Sequence, residues 1–340
     1  MSKIQFAIVG CGRIAQRHAE HINALAQLVA VCDTKRHRAA ALGTKYGCAA
    51  YESIDDLLAK ETSVQVVSIC TPNGLHAEHS IKALRAGKHV LCEKPMALRA
   101  ADCRRMIEEE ERSGKKLFVV KQNRFNPPIA ALKKAVDEGR LGKILNVQLN
   151  CFWNRTDDYY KESDWKGSLD LDGGTLFTQF SHFIDLLIWM VGDIGDVSVL
   201  TNNFLHQATI DFEDTGVIAF EFTNGALGTI NYTVNSYKKN MEGSITLFGE
   251  KGTVKIGGQY LNALEYQCIE GYEITNVAHS APANDYGFYQ GSMSNHDKVY
   301  QNVIGVLTSN HAVATSGLEG LKTVEVIERV YAQANIGPRI

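Results

Sequence analysis

Residues 4–9 form a short apolar run that leads straight into Gly10-Cys11-Gly12-Arg13-Ile14-Ala15, and a helical pattern of Ile14, His18, Ile22 and Leu25 follows. Strand, tight turn and helix in this order open a doubly wound parallel sheet and set a helix N-terminus beyond the strand's end. Gly10 permits the turn, and Gly12 lets the main chain approach a pyrophosphate. The first N–H groups of the helix, at Arg13 and Ile14, offer unpaired donors and a partial positive charge to phosphate. Ala15 stands where a third glycine is common, a position that needs only a small side chain. A second strand, residues 28–32, ends at Asp33, where this fold keeps the acid that bonds a ribose 2′-hydroxyl. The set implies a dinucleotide site. Asp33 favours NAD over NADP because it repels a 2′-phosphate, a repulsion that Lys35 and Arg36 partly offset.

The alternation continues. Helical stretches at 35–45 and 54–58 precede a strand at 64–70, which ends in Thr71-Pro72-Asn73. A helix over 76–86 is closed by Gly87 and leads to the strand His89-Val90-Leu91-Cys92, followed by Glu93-Lys94-Pro95. That strand delivers Lys94 to the sheet edge where open α/β folds bind ligands. Pro95 stops the strand, biases Lys94 towards an extended conformation and permits a cis bond. The plain alternative for Lys94 is a solvated loop lysine. A helix at 97–112 and a strand at 117–120 complete a Rossmann domain over residues 1–121.

Beyond Lys121 the period changes. Gln122-Asn123-Arg124-Phe125-Asn126-Pro127-Pro128 is a loop opening a helix at 129–137, and a long strand covers 144–153. Segments at 217–222, 227–234, 243–248 and 253–256 alternate with period two, joined by Gly and Asn, as in an antiparallel sheet. Helices are expected at 175–190, 299–307 and 318–334, so residues 122–340 read as an α+β domain whose last helices can pack back on the first. Within it, Gly173-Gly174 precedes a helix carrying Thr178, His182 and Asp185, whose spacing puts them along one face. His182 is either a core histidine or the partner of Lys94 in acid–base work.

These residues together resemble the Gfo/Idh/MocA oxidoreductase family over the whole length: the glycine turn, Thr71-Pro72-Asn73 with His76, Glu93-Lys94-Pro95, the Gly-Gly helix with His182, and Phe248-Gly249-Glu250-Lys251-Gly252. The resemblance implies an NAD-dependent sugar dehydrogenase in which Lys94 and His182 flank the reacting carbon. The family often has an aspartate four residues before the histidine. This chain has Thr178, which moves the acid–base burden to Lys94 or His182. The implied cofactor set is Gly10, Gly12, Arg13, Ile14, Asp33, Thr71, Asn73, His76, Glu93, Lys94 and Gln122.

A narrower likeness rests on residues 121–128, on Trp153-Asn154-Arg155-Thr156-Asp157-Asp158-Tyr159-Tyr160, and on the non-acidic Thr178. These stretches resemble the UDP-N-acetyl-2-amino-2-deoxyglucuronate 3-dehydrogenases of the WlbA/WbpB type, which make precursors of bacterial surface polysaccharides such as the lipopolysaccharide O-antigen. The implied substrate is UDP-N-acetylglucosaminuronic acid, oxidised at the 3-hydroxyl. The implied contacts are Lys121, Arg124, Asn126, Arg155, Tyr159, Thr178, Gln179 and His182. Arginine forks suit a carboxylate or diphosphate, although Arg124 or Arg155 could instead pair with acids such as Asp157 and Asp158. The alternatives are a family member acting on a free sugar or inositol, and an NAD(H)-binding regulator without turnover.

The bulk properties agree. A net charge of -3 from 35 basic and 38 acidic residues lacks the basic bias of a nucleic-acid binder. Eight cysteines without Cys-x-x-Cys spacing point to a reduced, cytoplasmic setting, and no metal ligand set is read. A signal peptide and a membrane span are not expected, whereas a homo-oligomer, dimer or tetramer, paired through the antiparallel sheet is.

Overall fold

The computed structural model describes residues 3–280, 283–285 and 290–336. Six short strands alternate with helices in the first third: β1 (Gln5–Val9), α1 (Arg13–Leu25), β2 (Gln27–Cys32), α2 (Arg36–Tyr46), β3 (Ala49–Tyr51), α3 (Ile54–Lys60), β4 (Val66–Ile69), α4 (His76–Arg85), β5 (His89–Cys92), α5 (Ala100–Ser113) and β6 (Leu117–Val119). They pair in parallel in the order β3-β2-β1-β4-β5-β6. Strands such as Val66–Ile69 and Leu117–Val119 are buried at every position, as parallel strands covered by helices on both faces must be. The order reverses between β1 and β4, and in such sheets the C-terminal ends on either side of that reversal frame the ligand crevice.

The rest of the chain runs α6 (Pro127–Asp137), β7 (Ile144–Phe152), α7 (Asp157–Lys161), a π-helical turn (Leu176–Phe180), α8 (Ser181–Val191), β8 (Ile194–Asn202), β9 (Thr215–Phe222), β10 (Leu227–Thr233), β11 (Glu242–Gly249), β12 (Gly252–Gly257), β13 (Ala263–Ile269), β14 (Ala283–Asp285), β15 (Gln290–Met293), α9 (His296–Ser309) and α10 (Gly317–Gln333). A seven-stranded sheet has the order β13-β12-β11-β7-β10-β9-β8. Its pairs are antiparallel except β7 with β10, which are parallel. The exception has a simple cause: the chain leaves β7 and returns to β10 through α7, α8 and the β8–β9 hairpin, a long crossover of the kind parallel neighbours require. One face of this sheet buries Val147, Leu149, Ile218, Phe220, Ile230, Tyr232 and Leu247, whereas Leu200, Val217 and Leu227 are exposed.

The chain divides into two compact units, Met1–Lys121 with His296–Val324, and Gln122–Asn295 with Glu325–Ile340. Helix α9 thus belongs to the first unit, and α10 contributes to both. Among the described residues, no helix is long and apolar enough to cross a membrane.

Candidate active site

In the first unit the site begins at the turn after β1. Gly10 has φ +93°, and a Cβ there would lie 2.5 Å from the carbonyl oxygen of Cys70 at the end of β4, so only glycine closes this turn. Gly12, which precedes α1, has nothing within 4 Å of the position its Cβ would take. No side chain caps the N-terminus of α1 and its first turn, opened by the half-buried Arg13 and Ile14, holds no acid. Asp33 faces this turn from the end of β2, its carboxylate accepting the main-chain N–H groups of Cys11 (2.8 Å) and Lys35 (2.7 Å). An open space beside a glycine, uncapped helix donors and a fixed acid suit a dinucleotide's pyrophosphate and ribose. Asp33→Ala is therefore expected to narrow the preference for NAD over NADP, measured by direct titration of both. Equal or tighter NADP binding by the unaltered protein would contradict the assignment.

The loops after β4 and β5 are tied together by His76. Its Nδ1 lies 2.7 Å from the Pro95 carbonyl and its Nε2 2.9 Å from that of Thr71; the neutral ring has one N–H and donates to one of the two. Burial holds its pKa below the ordinary histidine value. The Thr71 hydroxyl meets His79 at 3.2 Å, and Asn73 is buried at the start of a 3-10 turn, Asn73–Leu75. Lys94 is half-buried, its main-chain N–H bonded to the Glu93 carboxylate at 3.0 Å and its bond to Pro95 cis. Lys121, at the end of β6, is buried, and its ammonium donates to Thr323 of α10 at 3.0 Å.

In the second unit, Gly174 has φ +129°, and a Cβ there would lie 2.3 Å from the Tyr331 hydroxyl. That hydroxyl accepts the Leu176 N–H (2.9 Å) and donates to Glu213 (2.8 Å), to which Tyr232 also donates at 3.0 Å. Burial pushes the Glu213 carboxyl up to about 8, so it is mostly protonated at pH 7. The Gly-Gly pair therefore lets a tyrosine in to hold the start of the helical segment that leads to His182. That segment opens with a π-helical turn, Leu176–Phe180, which contains Thr178 and Gln179. The Thr178 hydroxyl donates to the buried carboxylate of Asp172, which also accepts the Gly167 N–H at 2.8 Å. His182 itself is buried on α8.

Arg155 is 3% exposed. Its guanidinium donates to Gln179 Oε1 (2.8 Å), Asn154 O (2.6 Å) and Asn240 Oδ1 (3.2 Å), between the rings of Trp153 and Tyr159. Gln179 in turn donates to the Tyr159 hydroxyl at 2.9 Å, so Arg155, Gln179 and Tyr159 form one cluster. Arg124 is placed differently: its fork grips Asp185 of α8, at 2.8 and 2.7 Å, against the Trp189 ring. The Asn126 amide donates to the carbonyls of Tyr260 and Leu261 and accepts from Asn295. Gln122 is buried in the 3-10 turn Gln122–Phe125 of this unit. Sequence reasoning missed Asp172 and Asn240, which sit in loops without a periodic pattern, and His18, whose place in a helical stripe gives no sign of a polar role.

Residues 4–121 match the family described as "Oxidoreductase family, NAD-binding Rossmann fold", and residues 129–255 match its C-terminal domain. A structure of the WlbA dehydrogenase from Chromobacterium violaceum, in complex with NADH and UDP-GlcNAcA, superposes with a TM-score of 0.90 at 37% identity, covering 98% of this chain and 94% of that one. Myo-inositol 2-dehydrogenase from Thermotoga maritima is 30% identical over 74% of each chain. A 1-carboxy-3-chloro-3,4-dihydroxycyclohexa-1,5-diene dehydrogenase from Comamonas testosteroni is 34% identical over 66% of this chain, which spans only 56% of that relative's length. With both halves matched in order and an NAD site built from its own residues, the chain belongs to the Gfo/Idh/MocA family of oxidoreductases.

Proposed function

We propose that this NAD-dependent dehydrogenase oxidises the 3-hydroxyl of UDP-N-acetylglucosaminuronic acid to the 3-keto sugar, a step in making bacterial surface polysaccharide precursors. The observation that carries the reading is the likeness, over 98% of the chain, to a WlbA dehydrogenase bound to UDP-GlcNAcA. The buried Arg155 cluster supports it, because a guanidinium held in place by Gln179 and Asn240 is pre-organised to meet a carboxylate or diphosphate. Bound NAD+ supplies the hydride acceptor. Oxidation of a secondary alcohol also releases a proton, which Lys94, with His182, takes from the hydroxyl. The 30% identity to myo-inositol 2-dehydrogenase favours a second reading, oxidation of a free polyol. Assembly through the sheet face that exposes Leu200, Val217 and Leu227 belongs to the same proposal.

The test compares turnover of UDP-N-acetylglucosaminuronic acid with that of UDP-N-acetylglucosamine, which lacks the carboxylate, and of myo-inositol. A strong preference for the acid that weakens in Arg155→Ala is expected. Equal use of both nucleotide sugars, or faster oxidation of myo-inositol, would refute the assignment.

A further inference from the structure

The Glu93 carboxylate makes contacts that no role above uses. Its Oε2 accepts the main-chain N–H of Lys94 at 3.0 Å. Its Oε1 faces Nε2 of His18 at 2.8 Å and Nε2 of His296 at 3.3 Å. His18 extends the chain, with its Nδ1 2.6 Å from the Tyr300 hydroxyl, which lies 3.0 Å from Ser68 Oγ. An ionised carboxylate only accepts, so both histidine Nε2 atoms carry protons. A neutral His18 then accepts from Tyr300, and Tyr300 accepts from Ser68. All five side chains are buried. Burial alone would raise the Glu93 pKa, but the bonds from His18 and His296 outweigh it and hold the carboxyl well below the usual range. Burial also lowers the pKa of His18, which keeps that ring neutral. One negative charge is thereby fixed behind the Lys94 main chain by side chains from α1, β4 and α9.

We propose that Glu93 is a positioning residue for Lys94 rather than a cofactor contact, and that His18, His296 and Tyr300 orient its carboxylate for that task. The proposal rests on the reading that Lys94 carries the proton. Glu93 acts through the lysine: its Oε2 pins the N–H at the end of β5 and so sets where the amine can reach. His18 lies on the helix that follows the glycine turn, so the cofactor turn and the lysine loop share one hydrogen-bond network. The same His18, Glu93 and His296 ligand atoms lie within 4.8 Å of one another, near enough for a metal ion. The hydrogen bonds account for the spacing without one.

The experiment uses the full chain and compares Glu93→Gln, Lys94→Met, the double variant and Tyr300→Phe, with kcat and NADH affinity measured for each. Glu93→Gln is expected to lower kcat by about tenfold to a hundredfold, the scale of a small misplacement of a reacting group. NADH affinity should stay within about threefold. The double variant should be no slower than Lys94→Met alone, because the glutamate acts only through the lysine. Should Glu93→Gln fail to fold, Tyr300→Phe supplies the same comparison, with a smaller loss of kcat and unchanged NADH affinity. Weaker NADH binding with unchanged kcat, or multiplied losses in the double variant, would overturn this proposal alone. Turnover surviving in Lys94→Met would overturn it by removing its premise, and the catalytic reading would fall with it. Dialysis against EDTA should leave kcat unchanged, and a loss restored by Zn2+ would replace the hydrogen-bond network with a metal site.

Discussion

Lys94→Met should reduce turnover by at least about a hundredfold, the usual scale of losing a general base, while NADH still binds. Methionine keeps the length of the lysine stem and removes the amine, so a loss reports proton transfer rather than a cavity. Buried strand β5 brings Lys94 to the edge of the sheet where the glycine turn and Asp33 also lie, and the Glu93 carboxylate fixes its main chain. The cofactor elements around Gly10, Gly12 and Asp33 do not depend on the amine, which is why binding should survive. The measurement is kcat with saturating substrate alongside an NADH titration. Near-normal turnover would show that Lys94 is not the proton carrier and would leave that role to His182.

The parts of this fold that sequence could show are those fixed by neighbours in the chain. Gly10, Gly12 and Asp33 are local: a turn, a helix start and a strand end, within one β-α-β unit. Parallel pairing followed from the alternation of apolar runs and helical stripes, whereas the order of the strands in the sheet did not. Strand β3 escaped because three residues, Ala49–Tyr51, leave no period to read. Helix α7 is only five residues long, too short to show a helical period, although Asp157 and Asp158 in its first turn carry the usual sign of a helix start. The remaining misses are long-range. Tyr331, which explains Gly174, is 155 positions from the Leu176 N–H it accepts. The ammonium of Lys121 reaches Thr323, 202 positions away, a bond that no local pattern could show. For Arg124 the nearby acids Asp157 and Asp158 were weighed, but its partner is Asp185, 61 positions on. Composition shows that a cation and an anion are present, and only the packed chain decides which of them meet.

That last pair carries the largest expected effect on stability. Arg124 and Asp185 have relative side-chain exposures of 6% and 3%, joined at 2.7 Å in a two-pronged pair, with the guanidinium against Trp189. Removing one member of a buried pair leaves the other as an uncompensated charge out of water, which costs about 3–5 kcal/mol. Asp185→Ala or Arg124→Ala should therefore lower unfolding free energy by that amount in urea titrations. The pair's net worth is much smaller than the cost of halving it, since desolvating both charges already offsets most of their attraction. Arg124→Met combined with Asp185→Leu should thus recover much of what either single change loses. Asp185 lies three residues beyond His182 on α8, so the pair also fixes the helix that carries the histidine. A single-variant loss within about 1 kcal/mol, the ordinary worth of a solvent-exposed pair, would mean that the pair is hydrated in solution and does not lock α8.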